Sequence, residues 1–135
     1  VIVPSHPLVR GFDEVFFAPH SRNSEVTERS IAECPHLEIL SKSDKAGVYI
    51  AAARTGRRFF VMGHSEYDAD TLKNEYLRDL AKGINPDIPE NYFPFDNPEN
   101  TPKNFWRSHA HLLYSNWLNY FVYQDTPYNL DELDK

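Results

Sequence analysis

The chain has 135 residues, 41% hydrophobic and 14% aromatic, enough to build the core of one globular domain. Its formal net charge of -6, with acidic residues scattered rather than blocked, argues against a nucleic-acid partner, since phosphate neutralisation needs clustered Lys and Arg. A single cysteine leaves no internal disulfide, and no long apolar run or signal-peptide pattern is present, so the expectation is a cytoplasmic protein with no membrane partner.

Val1 stands where a Met would, and Val1 to Val3 already reads as strand, which suggests a chain entered in mid-fold. Val15, Phe16 and Phe17 make a short apolar run predicted as a strand, closed by the turn-prone residues Pro19 to Ser24. A short helix is predicted over Thr27 to Cys34, capped by Ser24 or Thr27, with Ile31 inward and Pro35 as its stop. Leu37 to Leu40, Val48 to Ala53 and Arg58 to Met62 read as three strands, and the turns at Gly47 and Gly56 suit antiparallel hairpins.

Asp70 is a predicted N-cap for a helix running to about Lys82, with Leu72, Tyr76 and Leu80 as its apolar stripe and Gly83 as its stop. Between Asn85 and Lys103 five prolines rule out regular structure, while Tyr92, Phe93 and Phe95 predict an ordered aromatic loop. The longest helix is expected to start at Thr101-Pro102 and to end near Asp125. Its broad apolar face runs from Phe105 and Trp106 to Trp117 and Phe121, the last two predicted to pack beneath the sheet. The tail Pro127 to Lys135 is polar and acidic, and no internal repeat is visible.

The most informative stretch is Arg57 to Asp68. Phe59 to Met62 is unbroken apolar strand, Gly63 permits a sharp exit, and His64 and Glu66 follow at a strand's carboxyl end, where open α/β sheets keep their chemistry. A carboxylate beside an imidazole fixes its tautomer and stabilises the imidazolium formed when histidine acts as a base. The residues alone leave two readings open: such a couple, or a surface ion pair on a capped loop. Cys34, in Ala32-Glu33-Cys34-Pro35, lacks the tight strand-to-helix turn and small neighbours of a nucleophile, so a self-contained thiol hydrolase is rejected. His109 and His111 diverge by ~200° around a helix and cannot share an ion, so no metal site is expected.

Several blocks go further: Leu8 to Asp13, Ala18-Pro19-His20-Ser21-Arg22, Gly63 to Asp68, Asn91-Tyr92-Phe93-Pro94, Asn100-Thr101-Pro102, Trp106-Arg107-Ser108-His109 and Asn116 to Tyr120. In these the chain resembles the C-terminal portion of the homoserine O-acyltransferases, the homoserine O-succinyltransferase family. The resemblance runs from Val1 to Lys135 but covers a little under half of a typical member. It implies an α/β fold, the C-terminal part of a class I glutamine amidotransferase-like (flavodoxin-like) three-layer domain, whose nucleophilic cysteine lies in the N-terminal portion. It implies acyl transfer from acyl-CoA to homoserine, with succinyl-CoA or acetyl-CoA as co-substrate, no tightly bound cofactor, and a homodimer as the full-length protein.

By the same resemblance His64 is the base and Glu66 its orienting carboxylate, Arg78 holds the amino-acid substrate, and Ser21 is a substrate-site serine. From the residues alone Arg78 reads first as an exposed helix arginine paired with Glu75, and Ser21 reads either as a substrate contact or as a cap on a local backbone group. Ser65 departs from the proline that the family often carries there, which leaves the His64 to Glu66 spacing intact. The stretch alone is expected to be inactive. A glutamine amide hydrolase and a non-catalytic binding fragment are the alternatives.

Overall fold

The computed structural model describes residues 1–124; the expected acidic tail from Pro127 to Lys135 lies outside them. It is a small α/β arrangement built on a three-stranded antiparallel sheet in the order β1-β2-β3. The strands are β1 (Leu37–Ser43), β2 (Gly47–Ala53) and β3 (Phe59–Val61). The apolar runs and glycine turns of the sequence become two successive hairpins, as predicted. β2 is the centre strand and is buried along nearly its whole length. Its small residues Ala51, Ala52 and Ala53 let neighbours close on both faces.

β1 carries a bulge: Ile39 pairs with Ala51 and Ser41 with Ile50, so Leu40 is the extra residue. Its side chain is fully buried, and its carbonyl, freed from the ladder, accepts from the backbone N–H of Ile2 (2.7 Å). One face of the sheet gathers Leu8, Val9, Leu40, Ile50, Ala52 and Leu113. On the other, Val48 and Ala51 pack against Ile31 of α1 (Glu28–Ala32). Thr27, rather than Ser24, caps that helix, its hydroxyl accepting from Ser30 N–H (3.1 Å).

The remaining helices are α2 (Thr71–Ala81) and α3 (Arg107–Trp117), the latter continuing as one π-helical turn, Leu118–Val122. Asp70 occupies the N-cap position of α2 but makes no side-chain cap. The free N–H of Lys73 is instead taken by the Tyr92 hydroxyl (3.1 Å), which also donates to Ala69 O. One side chain thus ties the proline-rich loop to the start of α2, and Tyr92 and Phe93 are buried with Leu72 and Trp106. Tyr92 and Phe93 pack the loop as predicted, whereas Phe95, the third aromatic of that expectation, is exposed. Gly83, at φ +73, ends α2 where expected, with Ile84 N–H returning to Asp79 O (3.0 Å).

Four expectations need correction. Val1 to Val3 is not a strand: the N–H groups of Ile2 and Val3 both turn to the single carbonyl of Leu40. Val15 to Phe17 is not a strand: among the described residues no neighbouring strand offers it a ladder, and Val15 is exposed, while Phe16 turns inward onto Tyr49 and His109. α3 starts at Arg107, not at Thr101, because Asn104 Oδ1 accepts from the N–H groups of Trp106 (3.1 Å) and Arg107 (3.0 Å) and sets the first turn. Of the pair expected beneath the sheet, Phe121 packs edge-on to Phe59 (4.5 Å between centroids), but Trp117 stays 43% exposed. Among the described residues no helix is long and apolar enough to cross a membrane.

Candidate active site

β3 delivers its last residue at Val61, and the chain turns over Gly63 so closely that only a glycine fits. A Cβ there would lie 2.7 Å from Pro19 O and 2.9 Å from the Tyr49 ring. Immediately after it, His64 N–H donates to Pro19 O (2.8 Å), which fixes the exit of the strand against the Ala18 to Arg22 segment. Ser65 points inward, buried, and shares a hydrogen bond with the buried hydroxyl of Tyr49. With Ser65 anchored below, His64 and Glu66 project together on the outer side.

His64 Nδ1 stands 2.8 Å from Glu66 Oε1. Its Nε2 takes no hydrogen bond among the described residues, and the imidazole is partly exposed. An acceptor on Nδ1 places the ring proton there and leaves Nε2 as the lone-pair nitrogen, the arrangement a general base requires. Tyr67 stacks on the imidazole, rings 4.4 Å apart and 14° from parallel, and so sets the plane of His64. Tyr67 is itself held twice: its carbonyl accepts from Trp106 Nε1 (2.9 Å) and its hydroxyl donates to Glu75 Oε1 (2.9 Å).

Ser21 lies in the segment whose Pro19 carbonyl holds the His64 N–H. Burial and then the Glu75 hydrogen bond push the Tyr67 phenol above its usual pKa. Glu75 Oε2 is buried with no hydrogen-bond partner among the described residues. One turn along α2, Arg78 does not pair with Glu75 as the ordinary alternative had it. Its Nε and Nη2 form a fork on Asp79 (2.8 and 3.1 Å), which raises the arginine pKa further. The fold therefore gathers His64, Glu66 and Glu75 around Tyr67, with Arg78 one turn further along α2 and Ser21 on the neighbouring Ala18 to Arg22 segment. Tyr67 and Glu75 were not singled out as site residues from the sequence, although Tyr67 lies three residues after His64 in the same block.

His20 sits behind the couple. Burial, then the Arg22 guanidinium, then His64 push its pKa down to about 4. It is neutral at physiological pH, and Arg22 Nη1 donates to its Nδ1 (3.2 Å). Arg22 also donates to the carbonyls of Ala46 and Met62, so it pins the first hairpin turn to the end of β3. Unfolded His20 takes up its proton near pH 6.5 but the folded residue only near 4. Its stabilising contribution is full above pH 6.5 and is lost as the pH falls toward 4. Between pH 7 and pH 5 the protein is expected to lose about 1 kcal/mol more stability than its His20→Gln variant, a figure reduced for partial exposure. Urea midpoints at the two pH values check this; equal losses would remove His20 from the account.

A cleft of ≈ 780 Å³ opens beside His64 and Glu66 and runs back along β3 to Arg57 and Arg58, with Tyr114 and Trp117 of α3 on its other wall. Cys34 lies apart, at the end of α1, where its N–H donates to Ile31 O (3.0 Å) in an ordinary helix terminus. His109 packs between Phe12 and Phe16 and meets Asp13 (3.2 Å), whereas His111 is exposed. Among the described residues no group of three or more His, Cys, Asp or Glu side chains is placed to hold a metal ion.

Comparison with known proteins gives this geometry its setting. The family model described as homoserine O-succinyltransferase matches residues 1–128. The chain is 56% identical over 132 residues to a homoserine O-succinyltransferase of Vibrio atlanticus, covering 98% of this chain and 42% of the relative. It is 57% identical over 129 residues to a homoserine O-acetyltransferase of Petrotoga mobilis, 96% of this chain and 42% of the relative. A homoserine O-acetyltransferase of Acetivibrio thermocellus is 57% identical over 130 residues, with 96% and 43% covered. The chain thus spans less than half the length of the curated relatives it matches. With the match running through every block around His64, Glu66, Ser21 and Arg78, the chain belongs to the homoserine O-succinyltransferase family.

Proposed function

We propose that this chain is the C-terminal portion of a homoserine O-acyltransferase domain and supplies its base and part of its amino-acid pocket. The observation that carries the reading is the His64 Nδ1 to Glu66 Oε1 contact of 2.8 Å at the head of an open cleft, in a chain of this family. The nucleophile is a cysteine in the portion the relatives possess beyond this chain, and the whole domain has the three-layer architecture of class I glutamine amidotransferases. Its thiolate attacks the carbonyl carbon of an acyl-CoA, and CoA leaves as its thiolate. The hydroxyl of homoserine then passes its proton to His64 Nε2 as its oxygen attacks the enzyme-bound thioester, and the cysteine thiolate departs. Glu66 stabilises the imidazolium that results.

The surrounding residues suit the amino acid. Arg78 offers a guanidinium fork for the homoserine carboxylate by exchanging its Asp79 partner. The orphaned oxygen of Glu75 suits the ammonium group, and Ser21, in the segment tied to the His64 N–H, the hydroxyl end. No cofactor beyond the co-substrate is required. The relatives' names divide between succinyl and acetyl at nearly equal identity, so the donor is a matter for assay. The full-length protein is proposed as a cytoplasmic homodimer, to which the proline-rich loop would contribute Phe95, 96% exposed and held at φ 60.

Product analysis of the full-length protein tests the proposal. With homoserine it is expected to convert one of succinyl-CoA and acetyl-CoA into O-acylhomoserine and free CoA, and to leave glutamine untouched. Release of ammonia from glutamine without acyl transfer would replace this reading with an amide hydrolase.

A further inference from the structure

The proposed chemistry uses only the head of the cleft beside β3. At its other end Arg57 and Arg58 are exposed on the β2–β3 hairpin, and among the described residues neither guanidinium has an ion-pair or hydrogen-bond partner. Arg29, Arg54 and Arg78, by contrast, each face a carboxylate. In a chain of net charge -6, two adjacent unpaired arginines at the mouth of a cleft form a local positive site. Between them and His64 the walls are apolar and open: Phe60, Tyr114 and Trp117 are 41%, 48% and 43% exposed. Large aromatics seldom crowd one surface groove unless something covers them.

We propose that this cleft binds the carrier arm of the acyl-CoA, with Arg57 and Arg58 holding its phosphates and Phe60, Tyr114 and Trp117 covering the arm. The assignment rests on the acyltransferase reading and adds to it the place and polarity of donor binding. Charge complementarity selects the occupant, and length supports it. Six residue steps lead from Arg58 to His64, an extended path of at most ~20 Å at about 3.3 Å per residue. The arm from the thioester sulfur to the first phosphorus is roughly thirteen bonds, or about 15 Å extended at ~3.6 Å for every three bonds. A thioester carbonyl near His64 therefore puts the phosphates within reach of the guanidinium groups. The methylenes and gem-dimethyl carbon of the arm lie along the aromatic wall, and the arginines make bidentate contacts that a lysine would not reproduce.

The test compares the full-length protein with its Arg57→Ala/Arg58→Ala double variant, using acyl-CoA and the N-acetylcysteamine thioester of the same acyl group, which has no phosphate. The variant is expected to raise KM for acyl-CoA by about tenfold or more with kcat nearly unchanged, and to leave KM for the phosphate-free thioester as it was. An unchanged KM for acyl-CoA overturns the site. Equal losses with both thioesters, together with a lower Tm, overturn it in favour of a cleft filled by the rest of the protein. Direct titration with CoA separates this proposal from the reading beneath it. CoA that binds the wild type and binds the variant about tenfold more weakly upholds the site even if homoserine proves not to be the acceptor. A wild type that transfers acyl groups but binds CoA no better than the variant overturns the site alone.

Discussion

Replacing His64 by alanine in the full-length protein is expected to lower kcat for the proposed homoserine acylation by about 10³- to 10⁴-fold, with a much smaller change in KM for homoserine. The imidazole is the base available at the head of the cleft: Nδ1 is committed to Glu66 and Nε2 faces outward. Without it the homoserine hydroxyl, a very weak acid, must lose its proton to water while it attacks. Glu66→Gln keeps the shape but replaces the anion with an amide, which neither enforces the tautomer nor stabilises imidazolium; about 10²-fold or more is expected from that change. Steady-state CoA release reads both effects. The two losses act through one unit, so the double variant is expected to be little worse than His64→Ala alone. Multiplying losses would mean that Glu66 acts apart from His64.

Gly63→Ala is expected to cost about 1–3 kcal/mol of stability, towards the upper end because the atom met at 2.7 Å is the Pro19 carbonyl oxygen and not a flexible side chain. The same carbonyl accepts the His64 N–H, so the strain falls on the contact that sets the histidine's position. A displacement of the order of 1 Å costs about 10²-fold in rate when the reacting groups must align. Activity is therefore expected to fall by more than the folded fraction explains, measured as kcat beside a urea unfolding curve on the same sample. Gly56, whose added Cβ would meet nothing within 4 Å, is the contrasting position: at φ +74 alanine there strains only the turn, and kcat is expected to hold.

The hairpins were legible because each strand is a short apolar run between turn residues, and β2 is apolar throughout because it is covered on both faces. The stop of α2 at Gly83 was legible from its φ requirement. What escaped the sequence depends on partners distant along the chain. Val15 to Phe17 has the composition of a strand but, among the described residues, no strand beside it. The cap on Lys73 comes from Tyr92, nineteen residues on, and not from the adjacent Asp70.

The site divides in the same way. His64 and Glu66 stand out because two residues at a strand exit suffice to bring them together, whereas Arg78 finds Asp79 rather than Glu75, a choice of rotamer that helical spacing does not determine. Tyr67 joins the candidate site only through its stacking on His64 and its bond to Glu75 on α2, both products of tertiary packing. The open aromatic wall beside β3 was concealed by periodicity, which placed Trp117 on the same helical face as buried Leu113 and so predicted it as core.

The most direct test of the central claim is the intact mass of the full-length protein, quenched at intervals after acyl-CoA and then homoserine are added, for the wild type and for His64→Ala. The wild type is expected to gain the mass of one acyl group and to lose it when homoserine arrives. His64→Ala, once acylated, is expected to keep its acyl group in the presence of homoserine. Discharge onto homoserine at the same rate in both proteins would contradict the role given to His64.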